Sequence, residues 1–277
     1  IATTASGSLA ADIIPANRKG TGLGYFAMST NLAVVLGPFL SLLIVQYASF
    51  DALFIVLSVI VTIGALLALT VKTGDLPKPT NVERNFKFGF HDLFEKKALP
   101  LAGMAALIAF AYAGVLSFLS LYAEQQNLLA AASYFYAVYA VSMMSIRPLT
   151  GKIYDTMGAK FVIIPSFVLF AIGLVILGNA DSIWIFLVSA VFIGAGFGTL
   201  NTSFQSLCIQ STTPQRTGYA TATYFTLFDL GIAVGSFVLG LVAVNLSYAM
   251  IYYLSAALLV VVFAIYMLFF VRNKKIA

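Results

Sequence analysis

The chain has 277 residues, 61% of them hydrophobic and only 9% charged, with a net charge of +5. Soluble domains carry charge on about a quarter of their residues, so this composition excludes an ordinary water-solvated globule and makes lipid the main solvent. Nor does the basic balance mark a nucleic-acid binder, because that reading needs positive charge gathered on one soluble face, and here it falls in loops between apolar runs.

In chain order, residues 1–12 (IATTASGSLAAD) read as the inward-ending part of a helix, too short to span a membrane. No charged segment precedes an apolar one, so no signal peptide is expected. Eight apolar runs follow, near 22–46, 52–71, 99–124, 130–147, 161–178, 183–208, 218–245 and 248–271. Each approaches or exceeds the roughly 20 helical residues that cross a hydrocarbon core. Transmembrane strands would alternate and stop near ten residues, so the expected fold class is an all-α integral membrane protein.

The first run contains an element that returns later. Shifting Arg18–Leu42 by 198 positions places Arg18 on Arg216, Gly20 on Gly218, Asn31 on Asp229, Gly37 on Gly235 and Phe39 on Phe237. Internal repeats of apolar segments mark many transporter folds, whose sites lie near the midplane between the repeats.

Between the second and third runs lies the long polar connection 72–97, with Pro77 and Pro79 in its first part. It reads as a loop between two bundles, with boundaries at 1–71, 72–97 and 98–277. Phe86, Phe90, Leu93 and Phe94 recur at helical spacing in its second part, which suits either a short helix on the inner membrane surface or a linker packed on the bundle ends. All fifteen Lys and Arg residues fall in alternate loops, at 18–19, 72–97, 147–160, 216 and 272–275. By the positive-inside rule these loops and the C-terminus are expected to be cytoplasmic, in a multi-pass protein of the cell membrane.

Two motifs carry more than composition. The loop from Arg147 to Lys160 contains G-x-x-x-D-x-x-G-x-K at Gly151, Asp155, Gly158 and Lys160. Glycines there let two helices meet in a tight turn, and a carboxylate can face the positive N-terminus of a neighbouring helix. This resembles the cytoplasmic-loop signature of the major facilitator superfamily, in the form found between the eighth and ninth of its twelve helices. A second stretch is similar to the family's antiporter motif, G-x8-G-x3-G-P-x2-G-G: Gly24, Gly37 and Pro38 match, Ala33 and Ser41 stand for glycines, and Leu42 departs from it. Small residues let helices approach and a proline weakens the backbone ladder, as a seam that opens and closes needs. The resemblance implies the end of a fourth helix, the fifth and sixth, a central loop and a complete C-terminal six-helix bundle, with the preceding helices of the same protein as partners in the transport path. It also implies drug:proton antiport.

Among individual residues, Asp229 sits about twelve residues into its span, roughly 18 Å along a helix and near the membrane centre. A lone Asp there costs about 2.5–3.5 kcal/mol on insertion scales, and such residues mark proton relays or cation sites, or serve as interhelical glue. Asn31, Asn201 and Gln205 are neutral polar groups deep in their spans, suited to a polar path or to interhelical hydrogen bonds. Glu124 lies near the outer end of its span, where snorkelling to the surface explains it. Phe110, Tyr112, Phe118, Phe135, Tyr139, Met143, Phe197, Phe204, Tyr224 and Phe228 offer an adaptable apolar lining, or simply packing. Gly20–Gly24 and Gly194–Gly198 have G-x-x-x-G spacing, read as close helix packing.

No cofactor or metal is expected. The single histidine, His91, lies in the linker, the single cysteine, Cys208, suits packing, and no phosphate-binding loop is present. The functional expectation is a secondary transporter that alternates access between two bundles, coupling proton flow to export of a small lipophilic compound through the lipid bilayer. The alternatives are proton-coupled uptake of a sugar or metabolite, an integral-membrane enzyme, or a scaffold. An enzyme would gather His, Asp or Ser at one face, which this chain does not do.

Overall fold

The computed structural model describes residues 29, 33, 36–70, 94–213 and 216–271. Arg18, Gly20, Gly24 and Asn31, the 1–12 segment, the linker as far as residue 93 and the basic tail from Arg272 lie outside the described residues. The chain divides into two compact units, Ile1–Lys87 and Phe88–Ala277.

In the first unit, the short apolar helix α1 (Leu36–Tyr47) is followed by α2 (Phe50–Leu69). Ser49 separates them and caps α2, its hydroxyl accepting from the Ala52 N–H at 3.3 Å. Helix α2 is apolar on every side and has no buried residue within its unit. A helix hydrophobic all round belongs in lipid or against further membrane helices. A Cβ added at Gly37 would meet nothing within 4 Å among the described atoms.

The second unit is a bundle of six helices: α3 (Leu99–Gln125), α4 (Leu129–Met157), α5 (Lys160–Gly178), α6 (Ile183–Gln210), α7 (Thr217–Asn245) and α8 (Tyr248–Tyr266), the last ending in a π-turn at Met267–Val271. With α2, these make seven described helices long and apolar enough to cross a membrane. The chain is therefore a multi-pass membrane protein, as its composition demands. Short turns separate the helices. Asn127, at φ 59°, ends α3 in the left-handed region that Asn tolerates, and Ser247 caps α8 by accepting from the Met250 N–H at 3.2 Å.

The apolar run expected at 130–147 is too short, and the segment 147–160 is not a loop. Helix α4 continues through Pro148 to Met157, and only Gly158 and Ala159 separate it from α5. The fall in hydropathy after residue 147 marks where the chain leaves the hydrocarbon, which need not be where the helix stops. Gly158 makes the stop, at φ 95°, a conformation closed to side-chain-bearing residues. Arg147, Gly151 and Asp155 consequently stand on helix α4, and Lys160 opens α5.

Packing in the bundle has an internal two-fold pattern. Helix α3 packs most extensively on α7, and α5 on α6; α4 packs on α6, α5 and α3 both pack on α8, and α3 meets α6. Exchanging α3–α4–α5 for α6–α7–α8 maps this pairing onto itself, so the bundle is built from two three-helix units in the manner of transporter repeats. Glycines set the closest seams. A Cβ at Gly235 of α7 would lie 2.8 Å from the Phe110 carbonyl oxygen of α3, and Gly231 one turn earlier sits tighter still on Ala106. On the other seam, a Cβ at Gly194 of α6 would lie 2.5 Å from the Tyr139 carbonyl oxygen, and one at Gly198 2.5 Å from Met143 Cγ. The G-x-x-x-G reading of Gly194–Gly198 therefore holds: the missing side chains let α6 press onto the α4 backbone.

Candidate functional site

An aromatic and polar seam runs through the bundle where α3, α4, α6 and α7 converge. Tyr112 of α3 stacks on Phe197 of α6, their ring centroids 3.7 Å apart and their planes 9° from parallel. Tyr139 of α4 lies 6.2 Å beyond Tyr112, its ring 25° from parallel. On the other flank Phe197 meets Phe228 of α7 at 6.3 Å, and Phe228 stacks on Tyr224 at 5.8 Å. Offset stacking of this kind adds about 0.5–1.5 kcal/mol per pair beyond area burial.

Polar groups are threaded into this seam. The Tyr224 hydroxyl donates to Asn201, reaching both its side-chain Oδ1 and, at 2.8 Å, its backbone carbonyl. Asn201 thus ties α6 to α7, the glue reading of that residue. Gln205 follows one turn along α6, half-buried. Ser117 and Ser236 share a 2.8 Å hydrogen bond between α3 and α7, and the Ser142 hydroxyl donates to the Val191 carbonyl at 2.7 Å between α4 and α6. Arg147 lies at the lower edge of the seam, its Nε and Nη2 buried without a hydrogen-bond partner.

Other members of the aromatic set have packing roles. Phe135 and Phe204 are fully buried against neighbouring rings, Phe135 on Phe186 and Phe204 on Tyr266, while Phe110 and Phe118 are half-buried. Cys208 is buried, its Sγ 3.9 Å from the Ala98 carbonyl oxygen, which fits packing. Among the described residues no three His, Cys, Asp or Glu side chains gather as a metal site would require.

Asp229 stands apart from the seam. It is the thirteenth residue of α7, roughly 18 Å from the helix start. Its direction is not that of glue. At 100° per residue it points roughly 160° away from Gly231 and 120° from Gly235, the positions pressed onto α3. It is exposed on the surface of its own unit and makes no ion pair among the described residues. Its neighbours on that face are Ala222, Thr226, Ala233 and Ser236, flanked by Phe225 and Ile232, and Ser236 reaches Ser117 of α3 at the edge of the face. Glu124, next to the last residue of α3, is exposed, as snorkelling requires.

At the opposite end from Glu124 the structure pairs two residues that sequence spacing does not connect. Glu95, just before α3, is buried and forms an ion pair with Arg216 at the N-cap of α7, while its backbone N–H donates to Thr223 Oγ1 at 2.8 Å. The Arg216 guanidinium bonded to it holds the Glu95 carboxyl below the ordinary value of 4.5, against the opposing effect of burial, and the Lys97 N–H assists at 3.4 Å. Arg216 also lies over the Tyr219 ring at 4.8 Å. The remaining motif residues face outward: Gly151 and Asp155 are exposed on the last turns of α4, and Lys160 is exposed at the start of α5 with its Nζ 5.2 Å from the Phe161 ring centroid. Gly37 is exposed and Pro38 half-exposed in α1.

Comparison with known proteins adds an independent line. The profile of the Major Facilitator Superfamily matches residues 1–236 and again 147–276. The chain is 24% identical over 267 residues to the uncharacterised MFS-type transporter MJ1560 of Methanocaldococcus jannaschii, covering 94% of this chain and 69% of that protein. It is 25% identical over 285 residues to the riboflavin transporter RibZ of Clostridioides difficile, covering 82% of this chain and 62% of RibZ. The MFS-type transporter YhhS of Salmonella typhimurium is 27% identical over 159 residues, 57% of this chain and 39% of YhhS.

Proposed function

The chain belongs to the Major Facilitator Superfamily, and from that premise we propose that it forms part of a secondary transporter that alternates access between two helical bundles. Export of small lipophilic compounds, driven by inward proton flow through Asp229, is the reading that its residues support best. The observation that carries it is the position of Asp229: mid-span, exposed on its own bundle, and turned away from the seam that holds the bundle together. A carboxylate facing bare lipid at that depth is strongly unfavourable, so this face is paired with a wet path or a second protein surface, the setting in which intramembrane acids relay protons. Ala222 and Ala233 beside it leave room for another helix to approach, with Phe225 available to pack against it.

The aromatic seam supports the choice of cargo. Tyr112, Phe197, Phe228 and Met143 offer polarisable, apolar walls with few fixed donors. A sugar site would be lined by more amides and charges. The basic ends of the helices, by the positive-inside rule, face the cytoplasm of a cell-membrane protein. RibZ, a distant relative, carries riboflavin by its name, a flat aromatic compound of a kind such walls accept.

The test uses everted vesicles carrying the full-length protein, energised with a pH gradient and offered a lipophilic fluorescent dye. Dye accumulation in the wild type and its loss in Asp229→Asn are expected. Accumulation that persists undiminished in Asp229→Asn would sink the coupling role, and no accumulation of any lipophilic dye in the wild type would sink the exporter reading.

A further inference from the structure

Arg147 differs from the other described cations. Arg216 is satisfied by Glu95, and Lys96, Lys97, Lys152 and Lys160 are exposed. Arg147 instead continues the buried face of α4 that carries Phe135, Tyr139 and Met143, with Nε and Nη2 buried and unpartnered. A guanidinium does not shed its proton in a protein, so this is a permanent positive charge, half-buried at the edge of the span, where two of its donors call for a counter-charge or acceptors. Among the described residues it makes no ion pair.

The helix register shows what faces it. Gly194 is seated on Tyr139 and Gly198 on Met143, and the Tyr154 hydroxyl donates to Gln210 Oε1 at 3.5 Å, so α4 and α6 run side by side at an offset of about 55 residues. That offset sets Arg147 level with Thr202, between Asn201 and Gln205, which lie within roughly 20° of Gly194 around α6, on the side turned toward α4. The Tyr224 hydroxyl occupies the Asn201 side-chain oxygen, leaving its amide NH2 as a donor. The guanidinium fork is thus set at the height between two side-chain amides one turn apart on α6, the nearer of them one turn beyond Phe197.

A fixed cation with two unpartnered donors, flanked by amides that can also donate, is complementary to an anion. We propose that Arg147, with the amides of Asn201 and Gln205, binds the carboxylate of an amphiphilic organic acid whose apolar body rests toward Phe228 and Met143. This names the substrate class of the transport path and rests on that reading. The bidentate geometry of guanidinium with carboxylate selects the anion over its neutral amide, and Lys would reproduce the charge without the fork.

Binding is measured on the purified full-length protein in detergent by equilibrium dialysis of radiolabelled 1-naphthoate, with neutral 1-naphthamide as comparator. The wild type is expected to bind naphthoate saturably and at least about tenfold more tightly than naphthamide. Arg147→Gln is expected to weaken naphthoate about 30-fold and leave naphthamide unchanged, with partial rescue by Arg147→Lys. Gln205→Glu sets a carboxylate opposite Arg147 and is expected to abolish naphthoate binding in a monodisperse protein; if Arg147→Gln does not fold, this variant decides. Equal affinity of the wild type for the two probes, or naphthoate binding unchanged in the folded variants, overturns the site. Proton-driven dye export that ignores Arg147→Gln, together with such unchanged binding, leaves the exporter standing without this site. Arg147-dependent naphthoate binding without proton-driven transport leaves the site and removes the exporter.

Discussion

Gly235 is where one added carbon tests the bundle's architecture most directly. In Gly235→Ala the new Cβ would lie 2.8 Å from the Phe110 carbonyl oxygen and 2.9 Å from both Phe110 Cα and Ala113 Cβ. Carbon contacts settle at about 3.3–4.0 Å, so α3 and α7 must part by roughly half an ångström to an ångström. Two of those atoms belong to backbone and cannot swing aside, and the loss spreads along the most extensive interface of the unit. Overpacking of this kind costs about 1–3 kcal/mol, offset by about 1 kcal/mol from the better helix propensity of Ala. Gly103→Ala on α3 isolates the second effect, since a Cβ there meets nothing within 4 Å. The two variants should therefore differ in stability by about 1–3 kcal/mol, with Gly235→Ala the weaker. Unfolding of the full-length protein in mixed micelles, followed by circular dichroism, measures the difference. Equal midpoints for Gly103→Ala and Gly235→Ala would show that α3 and α7 do not touch at this seam.

Tyr224→Phe removes the hydroxyl that ties α7 to Asn201 and should lower stability by about 0.5–1.5 kcal/mol, because the half-buried Asn201 acceptor loses its donor; the same unfolding assay checks it, and an unchanged midpoint refutes the bond. The Glu95–Arg216 pair makes a pH-dependent contribution. Because folding lowers the Glu95 value below 4.5, its stabilisation is fully present above pH 4.5 and is lost as pH falls through the lowered value. Wild type and Glu95→Gln should thus differ in melting temperature at neutral pH and converge in strong acid; a gap that is constant with pH would exclude the charged pair as its source.

Much of the fold was legible in the sequence because lipid imposes a simple rule. A chain with no water to satisfy its backbone must form helices, and their number follows from counting apolar runs. The spans of α3, α5, α6, α7 and α8 came out within two or three residues of expectation at nearly every end. The exception is α4, whose last ten residues include Thr150, Lys152, Asp155 and Thr156: hydropathy reports the solvent around a helix and is silent about where its hydrogen bonds end. The family's loop motif at Gly151, Asp155 and Gly158 was likewise readable as residues, yet its geometry was not, since two of the three proved helical.

The candidate site divides in the same way. Composition and spacing alone establish a membrane-embedded helical protein with an isolated acid midway along the apolar run of α7, since apolar run length and position are properties of the sequence. Direction around the helix axis was decided by tertiary packing. Gly231 and Gly235 press onto α3 and so turn Asp229 outward, away from the bundle interior. The offset of α6 against α4 is set by Gly194 and Gly198, and it brings Asn201 and Gln205 level with Arg147. Glu95 meets Arg216 across 121 residues of chain because α3 and α7 pack side by side from that end. Nothing local in either segment encodes such a pairing. It exists because side chains meet only where two backbones have already been brought within reach, and that depends on every helix in the bundle at once.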